Sequence, residues 1–280
     1  MQTISDNNSS AIREIFGTDK ALIGMIHCLP FPGAPRYRCA AMDTIYDAGM
    51  RDAEALIEGG MHGLIIENHG DIPFSKPEDI GPETAAFMAV MTDRIARSTG
   101  IPLGINVLAN APVPAIATAM ASGAKFIRVN QWANAYVANE GFMEGRAAEA
   151  MRYRSLLRAE HIKIFADSHV KHGAHAITAD RTIEELTRDL AFFDADAVIA
   201  TGQRTGNSAT VEEIETIGAA THLPLLVGSG VTKDNIVEIL KRTSGVIVAS
   251  SLKAGGVWWN PVELARVKAF VKAARPALEG

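Results

Sequence analysis

The sequence has little cysteine, no excess of positive charge and no long apolar run, and each shortage argues against a class of protein. Its 280 residues include only Cys28 and Cys39, with no CxxC pair, which argues against a disulfide scaffold and a zinc ribbon. Lysine and arginine number 27 against 32 aspartates and glutamates, so a net charge of −5 argues against nucleic acid as a partner. Since no window of about 18 apolar residues is present, we expect no membrane span.

Several catalytic and binding motifs are also missing. There is no Walker A sequence, no Rossmann glycine pattern, no G-x-S-x-G elbow and no HExxH zinc motif. The first residues contain no basic segment followed by an apolar stretch, so we expect no signal peptide. Together with two cysteines that we expect to be reduced thiols, this pattern predicts a cytoplasmic protein.

What the sequence does contain is a regular alternation of short apolar runs with longer amphipathic stretches. Near-continuous apolar runs are typical of strands in a buried parallel sheet. We predict eight strands, at residues 21–27, 63–67, 103–108, 126–130, 162–167, 197–201, 225–228 and 246–250. Eight strand–helix units favour an α/β fold with one (β/α)8 TIM barrel over its main rival, a doubly wound open sheet. The predicted domain covers residues 1–280, with residues 1–20 as an N-terminal arm or short helix.

Three sequence patterns mark helix starts. Residues 182–185 and 210–213 both read T-x-x-E, the pattern of a capping box. Residues 260–263 read NPVE, which predicts a cap, a first-turn proline and an acidic third position at the start of the last helix.

In a TIM barrel the active site lies at the carboxyl ends of the strands, and here those ends are polar. The catalytic candidates are Glu67, Asp167, His169, Lys171 and His27. The candidate substrate ligands are Asn106, Arg128, Asn130, Thr201 and Gly202. Glu67 is the candidate general base, because burial in a barrel mouth can raise the pKa of a carboxylate toward the working range. The alternative is that either carboxylate only holds the rim together through an ion pair with Arg128 or Lys171.

The ends of the last strands are rich in glycine and serine. Glycine lets backbone N–H groups approach an anion, and many TIM barrels hold a phosphate after strands seven and eight. We therefore expect a phosphate pocket formed by Thr205, Gly206, Gly228, Ser229, Gly230, Ser250 and Ser251. The alternative is that these glycines only allow tight turns.

The sequence leaves metal binding open. Glu67, Asp167 and His169 are the candidate ligands of a divalent metal, but no spacing of high specificity supports them. Lys171 is expected to stabilise charge rather than form a Schiff base. A catalytic amine needs a desolvated setting, and Lys171 follows its strand in a loop.

These polar blocks resemble those of the BtpA/SgcQ family. The block MIHCLPFPGAPRY begins at Met25, and the block ENHGDIPF begins at Glu67. Further similar blocks read GINVL, FIRVN, DSHVKH, GSGVT and SSLK. The resemblance covers residues 22–267, with Cys28 and Ala34 as mild departures. Residues 131–134, which border the rim, depart more strongly, so substrate preference could differ there.

The resemblance implies a phosphate-binding TIM barrel, but no settled reaction comes with it. The family is named for photosystem I biogenesis in cyanobacteria, and other members look like parts of carbohydrate gene clusters. We expect an enzyme acting on a small phosphorylated substrate, such as a sugar phosphate. It would abstract a proton next to a carbonyl, as an isomerase, epimerase or aldolase-type lyase does. The alternative is a non-catalytic assembly or stability factor for a protein complex, and in either case we expect a homo-oligomer.

Overall fold

The computed structural model describes residues 10–39, 41–171, 173–202 and 209–279. The strands are β1 (Ala21–His27), β2 (Gly63–Glu67), β3 (Leu103–Asn106), β4 (Phe126–Val129), β5 (Ala135–Ala138), β6 (Gly141–Glu144), β7 (Lys163–Ser168), β8 (Ala197–Ala200), β9 (Leu225–Val227) and β10 (Gly245–Val248). The α-helices are α1 (Ala11–Phe16), α2 (Met42–Glu58), α3 (Pro82–Thr99), α4 (Pro112–Ser122), α5 (Ala147–Leu156), α6 (Ile183–Phe192), α7 (Val211–Ala220), α8 (Ile236–Leu240) and α9 (Leu264–Leu278).

Eight of the strands form a closed parallel barrel in the order β1-β10-β9-β8-β7-β4-β3-β2, with helices between them along the chain. The predicted TIM barrel is therefore confirmed, and the doubly wound open sheet is excluded because this sheet has no free edge. β1 and β2 have the predicted bounds, and the other six strands differ from prediction by one or two residues at their ends.

Apolar side chains fill the barrel and close its lower end. Because side chains alternate along a strand, every second residue faces inward, and these include Met25, Phe126 and Phe165. The rings of Phe126 and Phe165 stack with centroids 4.5 Å apart. Helix α1 packs Ile12 and Phe16 against the same cluster, with the Phe16 ring 5.7 Å from that of Phe126. The outward-facing strand residues form a larger core with the surrounding helices.

The two predicted capping boxes differ in the structure. The box at α6 is complete, because Thr182 and Glu185 each bond to the other's backbone N–H. At α7 the Thr210 hydroxyl accepts from the backbone N–H of Glu213 at 3.1 Å. Oε1 of Glu213 is buried without a hydrogen-bond partner in the described part of the chain, and burial raises the pKa of this carboxylate against the effect of a backbone hydrogen bond from Thr210.

The predicted start of the last helix is wrong. Helix α9 begins at Leu264, because Val262 instead pairs with Lys253 in an antiparallel bridge. Asp52 of α2 holds both strands of this bridge, accepting from Lys253 Nζ at 3.1 Å and from the Val262 N–H at 2.8 Å. The loop after β10 is thereby fastened to α2.

An antiparallel hairpin, β5–β6, is inserted between β4 and α5, and the sequence analysis did not predict it. Val137 pairs with Phe142 across it, and Gly141 follows the turn with φ of 101°, a conformation that favours glycine. Val137 and Ala174 exchange two backbone hydrogen bonds, of 3.0 and 2.8 Å. The hairpin is thus tied to the loop after β7, at the carboxyl end of the barrel.

Both cysteines are free thiols, Cys28 buried and Cys39 exposed. Within the described ranges, none of the helices has the combination of length and apolar character that crossing a bilayer would require.

Candidate active site

A cavity of about 550 Å³ opens at the carboxyl end of the barrel. Ten of the predicted site residues line it: His27, Glu67, Arg128, Asn130, Lys171, Gly228, Ser229, Gly230, Ser250 and Ser251. Five others lie outside its lining: Asn106, Asp167, His169, Thr201 and Gly202. Thr205 and Gly206 lie outside the described residues.

Strand alternation explains why these side chains converge. His27, Glu67 and Arg128 each stand two positions after an inward-facing apolar residue, so they also face inward, one layer higher. His27 is paired in register with Glu67, and Glu67 with Asn106 on the next strand. The polar layer therefore lies directly above the apolar filling of the barrel.

Arg128, which lines the cavity, forms a buried ion pair with Asp167, which does not line it. Nε and Nη2 of Arg128 lie 3.0 and 2.9 Å from the two carboxylate oxygens of Asp167, and the two side chains are 6% and 0% exposed. Asn130 adds a hydrogen bond of 3.0 Å to Asp167 Oδ2. Burial lowers the pKa of Arg128, but the charge and hydrogen bonds of Asp167 outweigh it and raise the pKa. Asp167 therefore forms an ion pair with Arg128, which is the structural role predicted as the alternative to a direct role in catalysis.

Asn106 and Thr201 support this rim from outside the cavity lining. Asn106 Nδ2 donates to the Arg128 carbonyl at 3.1 Å, while its Oδ1 is buried without a hydrogen-bond partner among the described residues. The Thr201 hydroxyl accepts from the Lys171 N–H at 3.1 Å, next to Gly202 with φ of 66°. Both side chains form hydrogen bonds with backbone groups and do not line the cavity, whereas a substrate ligand was predicted at each position.

Glu67 lies between two imidazoles. Its Oε1 is 2.8 Å from Nδ1 of His69 and 3.7 Å from Nε2 of His27. Burial raises the pKa of Glu67, but the hydrogen bond from His69 and the charges around it bring that pKa to about 2. Burial also lowers the pKa of His27 to about 3. The expectation that the pKa of Glu67 is raised toward the working range is therefore wrong, and its carboxylate is a weak base.

The three predicted metal ligands do not come together. Asp167 is held by Arg128, and His169 stacks on His175, with centroids 4.0 Å apart, beside a separate depression of about 20 Å³. Among the described histidines, cysteines and acidic residues, the group with metal-ligand spacing is instead formed by His27, Glu67 and His69.

Lys171 lies in a desolvated setting, contrary to the expectation from its position in a loop. It lines the cavity, and burial together with the charge of Arg128 lowers its pKa to about 8, against the opposing effects of Asp167 and Glu67. A much larger fraction of this amine is unprotonated near neutral pH than in an ordinary lysine.

The two glycine- and serine-rich loops meet on one side of the cavity. No side chain fits at Gly228, since a Cβ there would lie 2.7 Å from Cγ2 of Ile199, and Gly230 has φ of 63°. Ser251 Oγ donates to the carbonyl of Val231 at 2.7 Å and joins the two loops. Within the described residues, the N–H groups of Gly230 and Val231 donate no hydrogen bond to another backbone group.

The model of the BtpA family matches residues 18–276. The chain belongs to the BtpA family. An uncharacterized protein of Archaeoglobus fulgidus is 41% identical over 257 residues, which cover 92% of this chain and 99% of that protein. The photosystem I biogenesis protein BtpA of Synechocystis is 36% identical over 270 residues, which cover 95% and 92% of the two chains.

Solved structures share the fold of this BtpA-family chain. Thiamine phosphate pyrophosphorylase from Pyrococcus furiosus superposes with a TM-score of 0.55, covering 93% of this chain and 98% of that one. Its sequence identity is 15%, so the likeness concerns the fold alone.

The site residues predicted from sequence do not include His69, Tyr136 and Trp258, which also line the cavity. The Glu67-x-His69 spacing was a usable signal, because residues two apart at a strand end point to the same side. Tyr136 belongs to the unpredicted hairpin, whose tip residues Asn139 and Glu140 also line the cavity. Trp258 reaches the site from the far end of the chain, and no local pattern indicates that.

Proposed function

We propose that this BtpA-family protein is an enzyme that acts on a small phosphorylated metabolite, a sugar phosphate, by proton abstraction next to a carbonyl. The observation that carries the proposal is the lining of one cavity by three features. These are a pair of glycine- and serine-rich loops, the Arg128 guanidinium and the Lys171 amine with its lowered pKa. The structural neighbour from Pyrococcus furiosus is named for a phosphate compound, which agrees with this substrate class.

In the proposal, the phosphate binds to the loops after β9 and β10. The N–H groups of Gly230 and Val231 are suited to its oxygens, as backbone donors are in many phosphate sites. Arg128 adds positive charge nearby, since its Nη2 lies 3.9 Å from where a Cβ on Gly228 would stand. Ser250 and Ser251 also line the cavity, and the bond from Lys253 to Asp52 fastens their loop to α2.

The proton-transferring group in the proposal is Lys171 rather than Glu67. A general base works best when its pKa is near the working pH, and the pKa of about 8 for Lys171 meets this far better than about 2 for Glu67. Lys171 Nζ takes a proton from the carbon next to the carbonyl, and the electron pair moves to the carbonyl oxygen. Arg128 stabilises that oxygen, and return of the proton completes an isomerisation or epimerisation. Asp167 acts as a positioning residue for Arg128.

A second candidate is the assembly role that the name of the Synechocystis relative suggests. One observation favours it: Val137 and Phe142 are paired across the inserted hairpin and both are exposed, which offers an apolar surface to a protein partner. This role does not account for the buried polar layer under the cavity, and we therefore place it second. A homo-oligomeric state, a cytoplasmic location and no nucleic-acid partner complete the proposal, and light scattering of the purified protein tests the oligomer.

The test is a thermal-shift screen with inorganic phosphate and pentose and hexose phosphates, beside the same sugars without phosphate. A ligand at 100 times its Kd stabilises the folded state by about 2.7 kcal/mol. We expect a shift with a phosphorylated compound, its loss in Ser250→Asp, which adds a negative charge, and its retention in the neutral control Ser250→Asn. If no phosphorylated compound raises the Tm, or if the two variants respond alike, the phosphate pocket is refuted and the assembly role gains weight.

A further inference from the structure

We propose that His27, Glu67 and His69 bind a divalent transition-metal ion of the zinc type inside the cavity. The proposal does not depend on the identity of the substrate or on the phosphate loops. It replaces the metal site predicted from sequence, of which only Glu67 is kept.

The distances between the three side chains match those between ligands on one ion. Zinc lies about 2.0–2.1 Å from histidine nitrogen and carboxylate oxygen, so two ligands of a tetrahedral ion are about 3.3 Å apart. Oε1 of Glu67 is 2.8 Å from His69 Nδ1 and 3.7 Å from His27 Nε2. One ligand atom from each residue lies within 4.8 Å of the other two. The 3.7 Å separation is too long for a hydrogen bond, so hydrogen bonding alone does not explain how these groups face each other.

The surroundings of His27 prepare it as a ligand. Its Nδ1 lies 3.0 Å from the backbone carbonyl of Trp258, and a carbonyl can only accept, so Nδ1 carries the proton. Nε2 then presents its lone pair toward Glu67 when the ring is neutral. A carbonyl partner on the second ring nitrogen is the usual arrangement of a metal-bound histidine, because it fixes both the tautomer and the ring orientation.

Aromatic packing holds the second imidazole. The rings of His27 and His69 stack with centroids 4.4 Å apart and an interplanar angle of 16°. The Trp258 ring packs edge-on against His69 at 4.4 Å. An ion lies close to the plane of each imidazole that binds it, so the two nearly parallel rings must turn relative to each other for both nitrogens to reach one ion. For Nδ1 of His69 to bind an ion, the proton of this ring must lie on Nε2, which leaves the lone pair of Nδ1 free.

The ligand set also indicates the class of metal and the type of site. Two nitrogens and one carboxylate oxygen suit zinc, cobalt or iron, whereas magnesium and calcium prefer oxygen ligands alone. Three protein ligands leave a coordination position open, as in catalytic rather than structural zinc sites. All three residues line the cavity, so that position is accessible to a substrate oxygen, which the ion would polarise.

The experiment titrates the chelator-treated full-length protein with Co²⁺ and Zn²⁺ in a buffer free of phosphate and imidazole. We expect one ion per chain, with visible Co²⁺ absorption that Zn²⁺ abolishes by competition. His27→Ala and His69→Ala should each weaken binding by at least the roughly 10–100-fold that loss of an outer-shell partner costs. His169→Ala is the matched control: its imidazole stacks on His175 away from the group, so Co²⁺ binding should be unchanged.

Glu67→Gln keeps the size of the side chain and removes its charge. This variant replaces the alanine variants in the test if circular dichroism shows that one of them does not fold. Absence of stoichiometric binding, or equal binding by wild type, His27→Ala and Glu67→Gln, overturns the site. Binding lost in His169→Ala but kept in His27→Ala would instead support the ligands predicted from sequence. None of these results bears on Ser250→Asp, so failure of the metal site and failure of the phosphate pocket are distinguishable.

Discussion

Neutralising Asp167 should destabilise the protein more than breaking any exposed ion pair would. In Asp167→Asn the guanidinium of Arg128 stays buried and loses the negative charge that both of its hydrogen bonds reach. Breaking a buried ion pair from one side costs about 3–5 kcal/mol, because the remaining charge is uncompensated. For a chain of this size a loss of 1 kcal/mol lowers the Tm by about 2 °C, so we expect a decrease of about 6–10 °C.

The measurement is urea and thermal unfolding followed by circular dichroism. The control is Asp93→Asn, which breaks the ion pair with Arg97, an exposed partner one helical turn away. That pair should contribute less than about 0.5 kcal/mol. A double variant, Asp167→Asn with Arg128→Met, removes the unpaired charge as well and should be more stable than Asp167→Asn alone.

Two results would refute this reasoning. If Asp167→Asn lowers the free energy of unfolding by less than about 1 kcal/mol, then water solvates Arg128 or the Arg128 side chain turns into the cavity. A double variant less stable than the single one would mean that the carboxylate contributes through packing rather than through charge.

Two further predictions concern Lys171 and the caps. Lys171→Met should raise the free energy of unfolding at pH 7 by up to about 3 kcal/mol. The pKa falls from 10.5 to about 8 in the folded protein, and each unit is about 1.4 kcal/mol. The unfolded chain keeps the proton of Lys171 up to a higher pH than the folded protein does, so the free energy of unfolding of the wild type should rise between pH 8 and 10. The stability advantage of Lys171→Met should vanish over the same range. A difference in free energy of unfolding that stays constant between pH 8 and 10 would speak against the lowered pKa. Thr182→Ala should cost about 1 kcal/mol in urea unfolding because both bonds of its capping box are formed, whereas Thr182→Ser should cost little, and equal losses in both variants would contradict the capping argument.

Much of the fold followed from local patterns because a strand in a buried parallel sheet is defined by its own residues. The run from Ala21 to His27 is apolar until its last position and is preceded by polar residues, so its ends can be seen without a partner. The hairpin β5–β6 has no such signal, since its four-residue strands are only partly buried. Val262 carries a helix-start pattern in sequence, yet the carboxylate of Asp52, from a distant helix, binds its N–H and keeps it extended.

The sequence by itself determined that His27, Glu67 and Arg128 face into the barrel, because side chains alternate along each strand and these residues stand two positions after inward-facing apolar ones. It did not determine what those side chains do. The hydrogen bond between the His27 side chain and the Trp258 carbonyl joins residues 231 positions apart. The ion pair of Arg128 and Asp167 joins residues 39 positions apart. The pKa of a buried group and the membership of a metal site both depend on which charges and lone pairs lie within a few ångströms. Only the closed barrel sets those distances, which is why the weakly basic Glu67, the desolvated Lys171 and the ligand His69 emerged from the tertiary structure.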